Sequence, residues 1–341
     1  MRSVLSGRAD RLAEWLFEAG IGENRAALVD GDDILEAAIE LPDPLRAGAV
    51  IEGRLATILF PGKRGIIAFP EGGEALLEPL APTITQGARI RVEIVREALP
   101  EAGRPRLAKA RLSEDALRPG PSLEQRIGDS GLPVTRLDAH GPDRLEATRW
   151  SELLEEAASG EIAFPGGALR MSLTPAMTLF DVDGALPPPD LARAGAAAAG
   201  RAIRRFGISG SIGIDLPTLP AKADRQAAAT ALDAVLPQPF ERTAVNGFGF
   251  LQIVRRRERA SLPELLRADP AGAAARALLR RAERDGGRGA RTLVAAPLVV
   301  LHLQARPDWI DRLARGLGAP VALRADPGLA ISSGHVHSAS I

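Results

Sequence analysis

The chain has no cysteine among its 341 residues. That excludes disulfides, thiolate metal sites and cysteine nucleophiles. It fits a reducing compartment, and a cytoplasmic location is the expectation. No run of about eighteen apolar residues occurs, so no membrane span is predicted. The opening residues, MRSVLSGRADRLAEWLFEAG, lack a continuous apolar core and a small-residue cleavage site, so no signal peptide is predicted. An excess of one charge is also lacking, because 43 basic and 43 acidic side chains cancel. Net charge gives no argument for a nucleic-acid partner, and any basic surface must come from local segregation. Lysine is almost absent, and the cations are nearly all arginine in a chain rich in alanine, glycine and proline. Such a bias follows genome base composition, so arginine abundance alone points to no function. Internal repeats, a phosphate-binding glycine loop and a supported Ser/His/Asp arrangement are missing too. The length predicts two to three domains with a substantial core.

What is present centres on residues 171–184, MSLTPAMTLFDVDG, which read as one apolar, β-branched strand ending in Asp181 and Asp183. Residues 208–216, ISGSIGIDL, form a second apolar run with Asp215 near its end. Between them DLARAGAAAAGRAIRRF reads as a helix. Strand–helix–strand is the crossover that makes two strands parallel. Asp181 and Asp215 then share the crevice at the strands' C-terminal ends, where open α/β sheets put ligands. Two carboxylates about 4 Å apart repel by roughly 4 kcal/mol at an effective dielectric near 20. Either they share a proton or a cation sits between them. Magnesium, with several waters and one or two carboxylates, is the natural occupant. The alternative is two strand-end aspartates that cap turns.

Residues 8–20 read as an amphipathic helix with Leu12, Trp15 and Leu16 on one face. Strand-like runs follow at 25–30, 34–41, 49–60, 64–70 and 88–99, separated by turn signals. Several short strands so punctuated suggest a small closed barrel, and EGRLATILFPGKRGIIAF–EALLEPL–GARIRVEIV has an OB-type pattern. Such barrels bind single strands through a basic groove and stacking aromatics. The candidates are Lys63, Arg64, Phe69, Arg106 and Lys109. The alternative is a scaffold barrel with Phe69 in its core.

In 114–160, PGPSLEQ, GLPV and DAHGPD read as loops, with a solvated His140, and 150–159 as a helix. Residues 222–236 read as a helix with Lys222 and Arg225 on one face, able to reach a phosphate beside the metal. Residues 244–258 read as a strand or strand pair ending in Arg255, Arg256 and Arg257, a cluster that serves equally as a solvated end. The tail predicts a helix at 271–284, one or two buried strands at 291–303, a helix at 307–318 and a strand at 319–329. His335 and His337 read as part of a frayed end rather than a metal site.

Together these pieces resemble one family, the ribonuclease E/G endoribonucleases. The carrying residues are GENRAALVDGDDILEAAIE, the run from EGRLATILFPG, PGGALRMSLTPAMTLFDVDG, AIRRFGISGSIGIDL with its following Lys-x-x-Arg, and FGFLQIVRRR. The likeness covers most of the chain and is strongest at 165–257. It rests on the order and spacing of motifs rather than on one motif. It implies an α/β (α+β) multi-domain fold. An RNase H-like scaffold would begin at 1–42, with an inserted OB-fold RNA-binding barrel at 43–113. A shortened linker or sensor remnant with scaffold would fill 114–164. A DNase I-like catalytic subdomain at 165–260 and a small C-terminal α/β domain at 261–341 would follow.

The resemblance further implies a single magnesium site formed by Asp181 and Asp215. Asp183 stands where the family usually has asparagine, two residues after the first aspartate, and it would orient water or join the metal shell. Lys222, Arg225 and Arg255 fall on basic positions beside the scissile phosphate, the first two with a one-residue gap, and Arg257 extends that basic run. The sequence also departs from the family. The Cys-x-x-Cys zinc link expected after residue 257 is absent, so no zinc is expected, and a homodimer would have to form without it. The interval that holds the family's 5′-monophosphate sensor is too short here. Ile67 and Leu76 replace the family's barrel aromatics. The expected activity is magnesium-dependent endonucleolytic cleavage of single-stranded RNA to 5′-phosphate and 3′-hydroxyl ends. The alternatives are a catalytically inactive RNA-binding protein of this descent, or a structural partner in an RNA-processing assembly.

Overall fold

Where a helix is predicted at 8–20, residues Glu14–Ala19 form a strand, β1. β1 is an inner strand, and Trp15, Leu16 and Phe17 are all buried, so both of its faces are covered. Three adjacent apolar residues suit such a strand as well as a helical turn, and pairing decides between them. The computed structural model describes residues 13–43, 45–101, 106–287 and 289–338, so Leu12 and the start of the predicted helix lie outside them. The protein is a mixed α/β molecule with several sheets and a closed five-strand barrel. It divides into two compact units. One takes the chain up to Glu40, Leu123–Ser151 and the chain from Arg276 on; the other takes Leu41–Ser122 and Glu152–Ala275.

In the first unit β2 (Asn24–Asp30) and β3 (Asp33–Glu40) continue from β1 as an antiparallel meander. The second unit then begins with the barrel. Its strands are β4 (Val50–Phe60), β5 (Arg64–Ala68), β6 (Glu74–Leu77), β7 (Arg89–Arg96) and β8 (Ala108–Leu112), closed in the order β4-β5-β6-β8-β7. β6 and β8 are parallel and the other pairs antiparallel. Alternating residues fill the interior, among them Leu55, Ile67, Leu77, Val92 and Ile94.

Back in the first unit, the stretch read as loops carries α1 (Leu123–Gly128), β9 (Val134–Arg136) and α2 (Arg144–Ala147). β9 joins β1 in parallel. His140 is exposed, and its Nδ1 lies 3.1 Å from the Glu283 carbonyl oxygen. The predicted helix α3, Trp150–Ser159, carries the chain from there into the second unit.

The second unit's open sheet has the order β10-β11-β12-β13-β15-β14. Its elements are β10 (Glu161–Phe164), β11 (Gly167–Leu173), β12 (Thr178–Gly184), α4 (Pro188–Arg205), β13 (Gly210–Asp215), α5 (Lys222–Asp233), β14 (Glu241–Arg242) and β15 (Phe250–Arg255). The single strand predicted at 171–184 is two, β11 and β12, paired antiparallel. Thr174–Met177 is the turn, closed by a hydrogen bond from the Thr174 hydroxyl to the Met177 carbonyl at 2.7 Å. Pro175 lacks the N–H that a continuous strand would need. α4 and β13 complete the predicted crossover, and β12 and β13 are parallel. Alanine and glycine let α4 sit close: a Cβ on Gly195 would collide with Val182, and one on Gly200 with Val235.

After α6 (Leu262–Ala268), α7 (Pro270–Arg284) leads back into the first unit. There follow β16 (Arg291–Ala295), α8 (Pro297–Gln304), α9 (Pro307–Leu317), β17 (Val321–Ala325) and β18 (His335–Ser338). The predicted strands at 291–303 are one strand and one helix. Pro297 sits at the first helical position, where its fixed φ favours a helix start. The end predicted to fray instead pairs antiparallel with β16, holding His335 and His337 in β18. α7 supplies this unit's buried ion network: Arg276 (2.7 Å) and Arg280 bind Glu23, and Arg284 (2.6 Å) joins Arg25 (2.8 Å) on Glu18.

Candidate functional site

Asp181 on β12 stands directly opposite Asp215 on β13. Neighbouring strands lie about 4.8 Å apart, so the two Cα atoms are about that close. Side chains alternate along each strand. Phe180, Val182, Ile212 and Ile214 are buried. Asp181, Asp183 and Asp215 alternate with them, share the face opposite α4, and are exposed. The register continues across the sheet as Glu161, Arg170, Asp181, Asp215 and Phe250. These five make one row on the open face.

The two aspartates are treated differently from Asp183. Arg170 reaches Asp183 at 3.4 Å and Glu161 at 3.8 Å, both exposed ion pairs of about 0–1 kcal/mol each. Among the described residues no cation pairs with Asp181 or Asp215. No cluster of three or more His, Asp or Glu that could hold a metal ion occurs among the described residues either. The donor set is therefore two carboxylates on an open face.

The predicted basic residues are dispersed over several tasks. Lys222 is exposed in the first turn of α5. Arg225, predicted to share its face, donates to the carbonyls of Leu219 (2.6 Å) and Pro220 (2.7 Å) and so fixes the loop that starts α5. Arg255 donates to the Ile208 carbonyl at 3.1 Å. Arg256 is exposed beside Glu258 at 3.1 Å, and Arg257 is bound to Glu264.

On the barrel, Lys109 (2.9 Å) and Arg64 (2.7 Å) both bind Glu78, and their hydrogen bonds hold its carboxyl below the usual carboxylate range. Lys63 is exposed at the β4–β5 turn. Arg106 binds Glu101 at 2.6 Å and donates to the Pro175 carbonyl at 3.1 Å, joining the barrel to the β11–β12 turn. Burial, then the charges of Arg106 and Arg257, depress the Arg96 guanidinium below its ordinary value. Phe69, a predicted stacking aromatic, is 8% exposed and belongs to the barrel core. Ile67, read as the replacement for a surface aromatic, is fully buried in the same core, whereas Leu76 is half-buried.

Three residues not singled out from the sequence matter here. Arg170 sits in the aspartate row, Phe248 stands exposed beside β15, and Phe60 is exposed at the end of β4. Arg170 alternates with buried Leu169 and Met171, a pattern that would have put it on the aspartates' face once β11 and β12 were read as a hairpin. Among the described residues, no helix is long and apolar enough to cross a membrane. No protein-family model matches the chain, and no curated protein matches it.

Proposed function

We propose that this protein is a magnesium-dependent endoribonuclease of single-stranded RNA, organised like the ribonuclease E/G enzymes that its sequence resembles. One observation carries the reading. Asp181 and Asp215 face each other on adjacent parallel strands, on the open face of the sheet, with no cationic partner among the described residues. Two hard oxygen donors with open solvent for the remaining waters fit magnesium. Bound there, magnesium would neutralise phosphate charge and acidify a water. Asp181 and Asp215 would hold it, and Lys222 and Arg256 offer exposed cations for the RNA phosphates. Arg225 positions the loop before Lys222. Asp183 balances Arg170 and orients water at the rim. Hydrolysis breaks the bond from phosphorus to the 3′-oxygen, leaving a 5′-phosphate and a 3′-hydroxyl.

The architecture supports this reading. The closed five-strand barrel, in the order first-second-third-fifth-fourth, supports an OB-fold reading. Three antiparallel strands with β9 parallel to β1 suit an RNase H-like scaffold. The second reading is a catalytically inactive RNA-binding protein, favoured because Arg225, Arg255 and Arg257, expected at or next to the scissile phosphate, hold internal partners instead.

The test is cleavage of a 5′-labelled, A/U-rich single-stranded RNA by wild type and an Asp181→Asn, Asp215→Asn double variant, with magnesium or EDTA. Cutting by wild type alone, only with magnesium and leaving 5′-phosphates, is the expected result. RNA bound but uncut by both proteins would establish the second reading, with a log–log salt slope of about −0.7 per phosphate contacted.

A further inference from the structure

Phe248 is 83% exposed, more than any other large apolar side chain among the described residues. Single exposed apolar residues are ordinary, so exposure alone carries nothing. Its surroundings do carry something. The turn that presents it is fixed: the Asn246 side-chain oxygen accepts from the N–H groups of Phe248 (2.9 Å) and Phe250 (3.0 Å). That turn is tied to the carboxylate strand, because Leu216, the residue after Asp215, donates its N–H to the Gly249 carbonyl at 3.2 Å. Gly249 adopts φ +95°, and a Cβ there would strike the Leu216 backbone. No other residue allows so close an approach.

The neighbouring surface is apolar as well. Phe250 is the register partner of Asp215. A Cβ on Gly213 would stand 2.6 Å from the Phe250 ring and 2.8 Å from the Leu179 side chain. The missing side chain at Gly213 lets ring and leucine floor the open face beside the aspartates. Phe248 lies two residues earlier in the same chain, exposed to solvent.

We infer that Phe248 is a base-stacking residue for single-stranded RNA, taking the base on the β15 side of the aspartate pair, with Phe250 as the floor next to it. This rests on the proposed nuclease reading and adds the residue that positions the strand. A phenyl ring stacks on any base, so it holds the strand with little sequence preference. A backbone already fixed by its turn leaves only the ring's own rotamer to order on binding.

The test uses the Asp181→Asn, Asp215→Asn protein, so that RNA stays intact, and a fluorescein-labelled A/U-rich single strand in magnesium buffer. Adding Phe248→Ala should weaken binding roughly 5- to 150-fold, the equivalent of about 1–3 kcal/mol per stacked base. The salt slope should not move, because no phosphate contact is lost. Phe248→Trp should keep the affinity, and its indole emission should be quenched by RNA; Phe248→Leu should not restore binding. Unchanged affinity of the alanine variant would overturn the inference, as would an unquenched tryptophan variant that still binds. So would a change of oligomeric state with Phe248→Ala, which would make the ring a self-association contact. The two readings fail separately. Wild type that binds but does not cut, with the tryptophan quench intact, removes the nuclease alone. Wild type that cuts, with Phe248→Ala binding undiminished, removes the stacking role alone.

Discussion

Glu18 and Glu23 are buried and each is held by two arginines, whereas Asp181 and Asp215 are exposed, face each other and form no ion pair among the described residues, although Arg170 is the register partner of Asp181. The same functional group meets opposite treatments in the two units. A buried carboxylate without a partner costs several kcal/mol, so Glu18 and Glu23 belong to a framework whose cations were chosen with them. An exposed pair can be left uncompensated because water screens it, and the remaining repulsion favours an incoming cation. In an arginine-rich chain, a carboxylate pair left without an ion pair, while the neighbouring Arg170 turns to Asp183 and Glu161, is more informative than the paired carboxylates elsewhere.

The largest expected effect breaks the exposed pair. Replacing Asp181 and Asp215 together by Asn should lower single-turnover cleavage by more than about 10³-fold, several kcal/mol of lost charge stabilisation. Thermal melting in EDTA should show a fold at least as stable as wild type, because the substitutions relieve the carboxylate repulsion. Breaking the buried side should do the reverse. Glu23→Gln leaves Arg276 and Arg280 buried without their counter-charge and should cost about 3–5 kcal/mol in urea denaturation. Arg170→Met sharpens the contrast more finely. It removes the cation that faces Asp183 and should tighten magnesium binding about two- to fourfold, the Coulomb effect of one charge on a divalent ion about 10 Å away in water.

The smallest effect concerns acid. Burial pushes the Asp143 carboxyl up, but Arg25, the Glu146 N–H and Arg284 outweigh it and hold it below the ordinary value. A folded-state value below the unfolded one stabilises the protein above the unfolded pKa of about 3.9. That contribution is lost as the pH falls through the folded value. Stability measured from neutral pH downward should therefore decline on the acid side, and Asp143→Asn should flatten part of that decline.

Much of this contrast was legible in the sequence. Asp181 and Asp215 could be brought together because a strand–helix–strand unit fixes parallel pairing, and the register agrees. Helices α3, α4, α5, α7 and α9 follow from composition and period, and Gly318 after α9 takes the left-handed conformation of a helix stop. The misreadings came where period cannot decide. Trp15–Phe17 suits a strand or a helix, and α8 is apolar enough to pass for a strand. Pro175 marked a turn that splits one predicted strand in two. Side-chain partners were the least legible. Nothing in the spacing shows that Arg225 turns to loop carbonyls, that Lys109 shares Glu78 with Arg64, or that Phe69 points inward. Those depend on contacts between distant parts of the chain.

The most direct measurement of the central claim is a manganese titration of wild type and the Asp181→Asn, Asp215→Asn variant, followed by the electron paramagnetic resonance of free Mn²⁺, with magnesium as competitor. One magnesium-displaceable equivalent bound by wild type and lost in the variant is the predicted result. Equal manganese binding by both proteins would contradict the claim that this carboxylate pair is a cation site.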